Sequence, residues 1–470
     1  MRKPKTNRVA ASVSRASRKR ASPKPVRRVS ALGYAEQFLL PTYQRSSTVF
    51  THGRGAYVFD SSGKKYLDFL GGIAVNALGH AHPRIIKTIR RESARAIHFS
   101  NLFHNEFQGP LARKLVQWSG LDRVFFANSG TEAIDGALKL ARLCGLSGDA
   151  APAHKTAKTR ILAMTNSFHG RTFGALSVTA TEKYRAPFAP LVPGVEFVKF
   201  NDVADLESKF DDTVCAIILE TIQGEGGIFP VTEAFWERAR ALTTKNGALL
   251  IADEIQCGLG RTGRYFAFQA FPSMPDIAVV AKPLAAGLPL GAIITNNAVA
   301  SRVSPGLHGT TFGGGPMICA VALEFLNIVE EEKLLENIRT RGDELRAGLE
   351  KLRTKFDFIK EVRGEGCMFG VELSVEGGSF VAEALKRGLL INCTHDFTIR
   401  LLPPFLITKA QVREFLGLFE QILSETPRVV PATESSASKA PLPAAMSAAA
   451  TASRSHVKLT AAQSLSQEVK

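Results

Sequence analysis

The sequence predicts an α/β fold, with a large domain on a mostly parallel sheet and a smaller α+β domain beside it. Two patterns predict this. Between about Leu121 and Thr295, short and nearly continuous apolar runs alternate with polar loops and helical segments. Such runs fit strands covered on both faces, and the long segments between them fit crossover helices. After about Thr311 the pattern changes to long helices over 317–356, then to FIKEVRGEGCMFGVEL, which alternates like paired strands.

Taken in order, residues 1–30 form a basic tail with 11 Lys/Arg and no acid, poor in bulky apolar residues and predicted to be disordered. Residues 31–70 are assigned to the small domain and 71–312 to the large one. Within the large domain the expected strands are RVFFAN, RILAMTN, CAIILE, GALLIAD and DIAVVAK. Residues 313–426 complete the small domain and end in QVREFLGLFEQIL, which sets Val412, Phe415, Leu416 and Phe419 at helical spacing. Residues 427–470 read as a disordered tail rich in Ala, Ser and Pro.

The net charge of +16 suggests nucleic acid until it is located. The first tail holds +11 and the second +3, so the body between them carries only +2. No base-reading module accompanies the tails, and nucleic-acid function is not expected. The apolar stretch Ile277–Thr295 is broken by Lys282, Pro283 and Pro289, which argues against a membrane span. The six cysteines form no CxxC pair and fit a reducing compartment. His80 and His82 lack nearby Cys or acidic partners, so no metal is expected. A cytoplasmic location is expected. The alternative is the mitochondrial matrix, if residues 1–30 are a transit peptide.

Each predicted strand runs into a polar cluster, and ligands of open parallel sheets gather at the carboxyl ends of strands. RVFFAN leads to Ser129, Gly130 and Thr131, a small turn opening a helix and suited to a phosphate; a capping box with Glu132 is the plainer reading. RILAMTN leads to Phe168-His169-Gly170-Arg171, offering a ring to stack on a planar group and a guanidinium for a carboxylate. CAIILE leads to Gln223-Gly224-Glu225-Gly226-Gly227. GALLIAD ends in Asp253, an acid that needs a cation or strong donors if buried. DIAVVAK ends in Lys282, the only charged residue between Asp276 and Arg302. Desolvation there favours the neutral amine, the form that attacks carbonyls. A phosphate cradle, a stacking ring, a partner for a pyridinium nitrogen and an amine together describe a pyridoxal phosphate site.

These stretches carry a family resemblance. YLDFLGGIAVNALGHAHP, FFANSGTEAIDGALKLAR, NSFHGRTFGALSVT, IQGEGG, DEIQCGLGRTG, HGTTFGG and GLLINCT…IRLLPP are similar, in order, to the class III pyridoxal-phosphate aminotransferases. Within that family, residues 31–426 most resemble the acetylornithine branch. The resemblance implies the type I fold of pyridoxal-phosphate transferases. It implies Lys282 as the lysine in Schiff-base linkage and Asp253 as partner of the ring nitrogen. Ser129, Gly130 and Thr131 would hold the phosphate, Phe168 and Ile255 the two ring faces, and Gln256 the phenolic oxygen. Thr311 would reach the phosphate from a neighbouring subunit of a homodimer, with Thr310 near the substrate. Arg171 would take the α-carboxylate of the acyl-amino acid. Glutamate or 2-oxoglutarate would use Arg400 and Arg171, with Glu225 pairing Arg400 when that carboxylate is absent.

The sequence departs from the family at Thr221 (usually Pro), Pro283, the run LAAG and Gly315 (usually Asn). Ornithine, succinyldiaminopimelate and 4-aminobutyrate are the alternative donors. More distant readings are a decarboxylase or aminomutase on the same scaffold, and a nucleic-acid-binding scaffold with a vestigial catalytic body.

Overall fold

A computed structural model describes residues 31–146 and 157–428. The disorder expected for 1–30 and for nearly all of 427–470 concerns residues outside these. A seven-stranded sheet forms the centre, in the order 123–127, 291–295, 277–280, 249–253, 214–220, 160–164, 195–198. All five expected strands are present and mutually parallel. Helices such as Gly130–Leu146 and Glu233–Asn246 supply the crossovers. Strand Val214–Glu220 is buried at every position, which is why its sequence reads as one apolar run.

Two strands of this sheet were not anticipated. Gly291–Thr295 runs antiparallel to both of its neighbours. Only residues 281–290 separate it from Val280, too few for a helical crossover, so the chain must turn back. That return loop carries Lys282. Val195–Val198 is an edge strand, and its half-buried pattern hides it from a search for long apolar runs. Helix Gly130–Leu146 lies close on the sheet: a Cβ on Gly136 would come within 2.5 Å of Ile293 Cδ1.

The later part of the chain follows its pattern. Helices Pro316–Glu331 and Leu334–Lys355 precede an antiparallel sheet ordered 359–365, 368–373, 398–401, 392–394. Strands Phe50–Arg54, Tyr57–Asp60 and Lys65–Asp68 form a second small sheet, completed by Leu389–Leu390 from the C-terminal segment. Phe69 stacks on Phe415 of helix Lys409–Glu425 at 4.1 Å between ring centres, which packs the N-terminal segment against the C-terminal one. All six cysteines are free. Among the described residues no helix is long and apolar enough to cross a membrane.

Candidate active site

A cavity of about 450 Å³ opens at the carboxyl ends of the parallel strands. Ser129, Gly130, Thr131, Phe168, Arg171, Glu220, Asp253, Ile255, Gln256 and Lys282 all line it, so five strand ends converge on one crevice. Lys282 keeps partial surface exposure because it faces this space. Burial nonetheless lowers its pKa from the ordinary lysine value; Glu225 opposes the shift and Arg400 reinforces it. The shift is toward the neutral form, the one that attacks carbonyls.

Asp253 ends its strand at 3% exposure and is compensated by two donors. Its Oδ2 lies 2.7 Å from His169 Nδ1, and its Oδ1 accepts the Ile255 N–H at 3.0 Å. His169 therefore carries its proton on Nδ1, and its buried Nε2 has no partner among the described residues. Glu220 ends the adjacent strand and is also buried. Its two oxygens accept the N–H groups of Phe168 and Gly224, both at 2.9 Å. Burial raises its pKa, with nearby Asp253 adding to the rise and His169 opposing it.

Helix Gly130–Leu146 begins at the cavity wall. Ser129 Oγ accepts the Glu132 N–H at 3.3 Å, so the capping role is real. Glu132 reaches back to the Asn128 N–H instead of completing the box. The first-turn N–H groups of Gly130 and Thr131 are left for an anion. The hydroxyl of Thr131 has other work: it accepts the N–H groups of Arg171 and Thr172, both at 3.1 Å, and thereby ties the two loops together. A Cβ on Gly130 would sit 2.8 Å from Ile255 Cδ1, so the anion end and the apolar floor pack without room for a side chain.

Arg400 is fully buried on strand Thr398–Leu401. Its Nη1 donates to Glu225 Oε1 at 2.6 Å, Gly224 O at 3.1 Å and Gln256 Oε1 at 3.2 Å. Burial alone would raise the Glu225 pKa, but Arg400 overrides it and holds the carboxyl below its usual range. Arg171 forms no ion pair among the described residues, and its guanidinium lies over aromatic rings.

An amine of lowered pKa, a buried acid, a helix N-terminus and an aromatic side chain on one wall fit a planar, phosphorylated aldehyde. The comparisons agree. The aminotransferase class-III family model matches residues 41–423. The chain belongs to the class-III aminotransferases. An acetylornithine aminotransferase of Caldanaerobacter subterraneus is 43% identical over 83% of this chain and 98% of its own. The structure of a Toxoplasma gondii ornithine aminotransferase, which has PLP at partial occupancy in its active site, matches with a TM-score of 0.78. It is 33% identical over 84% of this chain and 95% of its own. An Elizabethkingia anophelis acetylornithine aminotransferase matches with a TM-score of 0.74 and 31% identity, over 84% and 98% of the two chains. Class-III aminotransferases depend on pyridoxal phosphate, and the cavity of this one carries the groups to hold it.

Not every expected residue of this class-III aminotransferase lines that cavity; Glu225 and Arg400 do not, and Arg400 connects to it through Gln256, which accepts from its Nη1. Thr310 lines a separate one with Asn101, His104 and Gln108, where its hydroxyl accepts from Asn128 Nδ2 at 3.1 Å. Thr311 is exposed and does not line the Lys282 cavity. Sequence reasoning assigned no role to His169 or Glu220. Both had a signal: His169 stands inside the quoted FHGR cluster, and Glu220 is an acid ending an apolar strand, as Asp253 is.

Proposed function

We propose that the protein transaminates N-acetylornithine with 2-oxoglutarate, giving N-acetylglutamate 5-semialdehyde and glutamate, in arginine biosynthesis. The cofactor, when bound, supplies an electron-accepting ring that takes up the carbanion charge at the substrate carbon. Lys282 would hold the cofactor and, once its amine is free, would move a proton at that carbon. Asp253, oriented by His169, would keep the ring nitrogen protonated. Phe168 and Ile255 would hold the ring, Gln256 its phenolic oxygen, and Ser129, Gly130 and Thr131 the phosphate. Arg171 binds the α-carboxylate of the donor and the side-chain carboxylate of 2-oxoglutarate.

The ion pair between Glu225 and Arg400 carries the reading. It closes a buried guanidinium while a neutral acyl group occupies that end of the pocket, and it can open for a second carboxylate. One pocket thereby serves two unlike substrates. We further propose a homodimer in which Thr311 reaches the partner's phosphate and Thr310 lies near substrate. Exposed Phe312, Leu102 and Phe103, joined through Asn101 contacts to Thr310 O and Gly313 O, support such an interface.

The test offers acetylornithine, ornithine, succinyldiaminopimelate and 4-aminobutyrate singly to the cofactor-loaded protein. Loss of cofactor absorbance in each half-reaction ranks them. Acetylornithine should lead; a clear preference for free ornithine or 4-aminobutyrate would overturn the assignment.

A further inference from the structure

We infer that Tyr184 is a positioning residue for carboxylate substrates, holding the Arg171 guanidinium at the mouth of the cavity. The inference rests on the assignment of Arg171 to the substrate carboxylate. Arg171 is exposed and, among the described residues, has no acidic partner to fix its long side chain. Its backbone N–H is anchored to Thr131, which sets the Cα but leaves the side-chain torsions free. What holds the far end is an aromatic face. The guanidinium carbon lies 3.6 Å from the centre of the Tyr184 ring and 5.5 Å from that of Phe168.

The geometry suits the task. A guanidinium lying over a ring face has that side covered while other N–H groups stay free for a carboxylate. A stacked arginine is also pre-ordered, so less entropy is lost when the substrate binds. An acidic side chain would order Arg171 equally well, but it would compete with the substrate for the same edge. An aromatic ring does not.

Tyr184 is itself fixed. It belongs to the short helix Glu182–Arg185 and meets the Phe168 ring edge-on, 6.3 Å between centres. The neighbouring Arg185 turns away, over Phe197 at 4.6 Å. Phe168, Tyr184 and Arg171 thus form one aromatic–cation chain, linking the cofactor-facing ring to the carboxylate clamp. Tyr184 does not line the cavity, so it acts through Arg171.

The test compares Tyr184→Phe and Tyr184→Leu in the cofactor-loaded protein. Glutarate, a dicarboxylate that cannot react, is titrated by its perturbation of cofactor absorbance, and KM and kcat are measured for both substrates. Tyr184→Leu should weaken glutarate binding and raise both KM values about fivefold, with kcat changed less than about twofold. Tyr184→Phe keeps the ring face and should stay within about twofold of native. In an Arg171→Ala background, Tyr184→Leu should have no further effect on glutarate binding.

Native glutarate affinity in Tyr184→Leu, an equal loss in Tyr184→Phe, or an additive loss in the double variant would each overturn the inference. The glutarate titration needs no amino donor. A failure of acetylornithine as substrate would therefore refute the functional reading while leaving the role of Tyr184 intact.

Discussion

Glu225→Gln should make the enzyme bind 2-oxoglutarate more tightly. On the proposed reading an incoming carboxylate displaces Glu225 from Arg400, a pair with an N–O distance of 2.6 Å. Arg400 is fully buried, but the Glu225 side chain is 34% exposed, so the full strength of a buried ion pair does not apply. A charge-assisted hydrogen bond contributes about 1.5–3 kcal/mol. Discounted for that exposure, about 1.5 kcal/mol remains, equivalent to roughly a tenfold change in affinity. The glutamine amide can still accept from Arg400, so the guanidinium keeps a neutral partner beside Gly224 O and Gln256 Oε1. Steady-state kinetics with both substrates varied should show KM for 2-oxoglutarate falling about tenfold, and inhibition by product glutamate strengthening in proportion. KM for acetylornithine should fall much less, since its acyl end makes no claim on Arg400. An unchanged or raised KM for 2-oxoglutarate would refute the idea that Glu225 is the gate.

Lys282→Ala should retain cofactor, measured by absorbance after dialysis, yet lose turnover by several orders of magnitude; near-normal turnover would reassign the lysine. Thr221→Val removes the 2.6 Å hydrogen bond donated to buried Glu254, whose pKa burial raises to about 7 against the pull of Thr221 and two backbone N–H groups. A raised carboxyl pKa means that the folded protein binds more protons. The Glu254 contribution to stability is therefore full below the unfolded value of 4.5 and is lost as pH climbs through about 7. Losing the hydroxyl disfavours the ionised form further. Thr221→Val should cost about 1 kcal/mol in thermal melts near pH 5 and about 2 kcal/mol near pH 8, and equal shifts at both would contradict this. Ala286→Gly should raise Tm by a few degrees at most, because Ala286 sits at a φ of +51°, where an L side chain is strained by about 1 kcal/mol; a lowered Tm would show that packing of the methyl group matters more.

What could be read from the sequence follows from how each feature is encoded. Strands buried on both faces write themselves as contiguous apolar runs, and all five expected from such runs are in the central sheet. The direction of Gly291–Thr295 depends on the length of a connection, and the edge strand Val195–Val198 is half-exposed, so neither carries that signature. Site residues were legible where chemistry contradicts surroundings, as with Lys282 in its apolar stretch and Asp253 at a strand end. Arg400 and Glu225, 175 residues apart, needed the family resemblance before they could be paired. Tyr184 had no signal at all, since an aromatic residue in a short helical turn looks the same whether or not an arginine folds over it.

The departures from the family can now be placed, and they share a physical character. Thr221 supplies a hydroxyl to Glu254, immediately after Asp253, the proposed partner of the ring nitrogen. Pro283 follows Lys282 in a turn closed by the Leu284 N–H on Ala281 O at 2.6 Å. Ala286 occupies a left-handed position in the same loop, just before Gly287 at a φ of +108°. Gly315 caps helix Pro316–Glu331 without the side-chain acceptor an asparagine would give. None of the four is a group that would touch the reacting atoms, and each changes how stiffly a neighbouring backbone segment is held. A proline after Lys282 restricts the lysine's own backbone, and the strained alanine beyond it stores energy in the same short loop. If Lys282 is the amine that leaves the cofactor and returns to it, as proposed, the stiffness of its loop bears on rate more directly than on which carboxylate is bound. Substrate choice is assigned in the same proposal to Arg171 and the Glu225–Arg400 pair, which none of the four replaces.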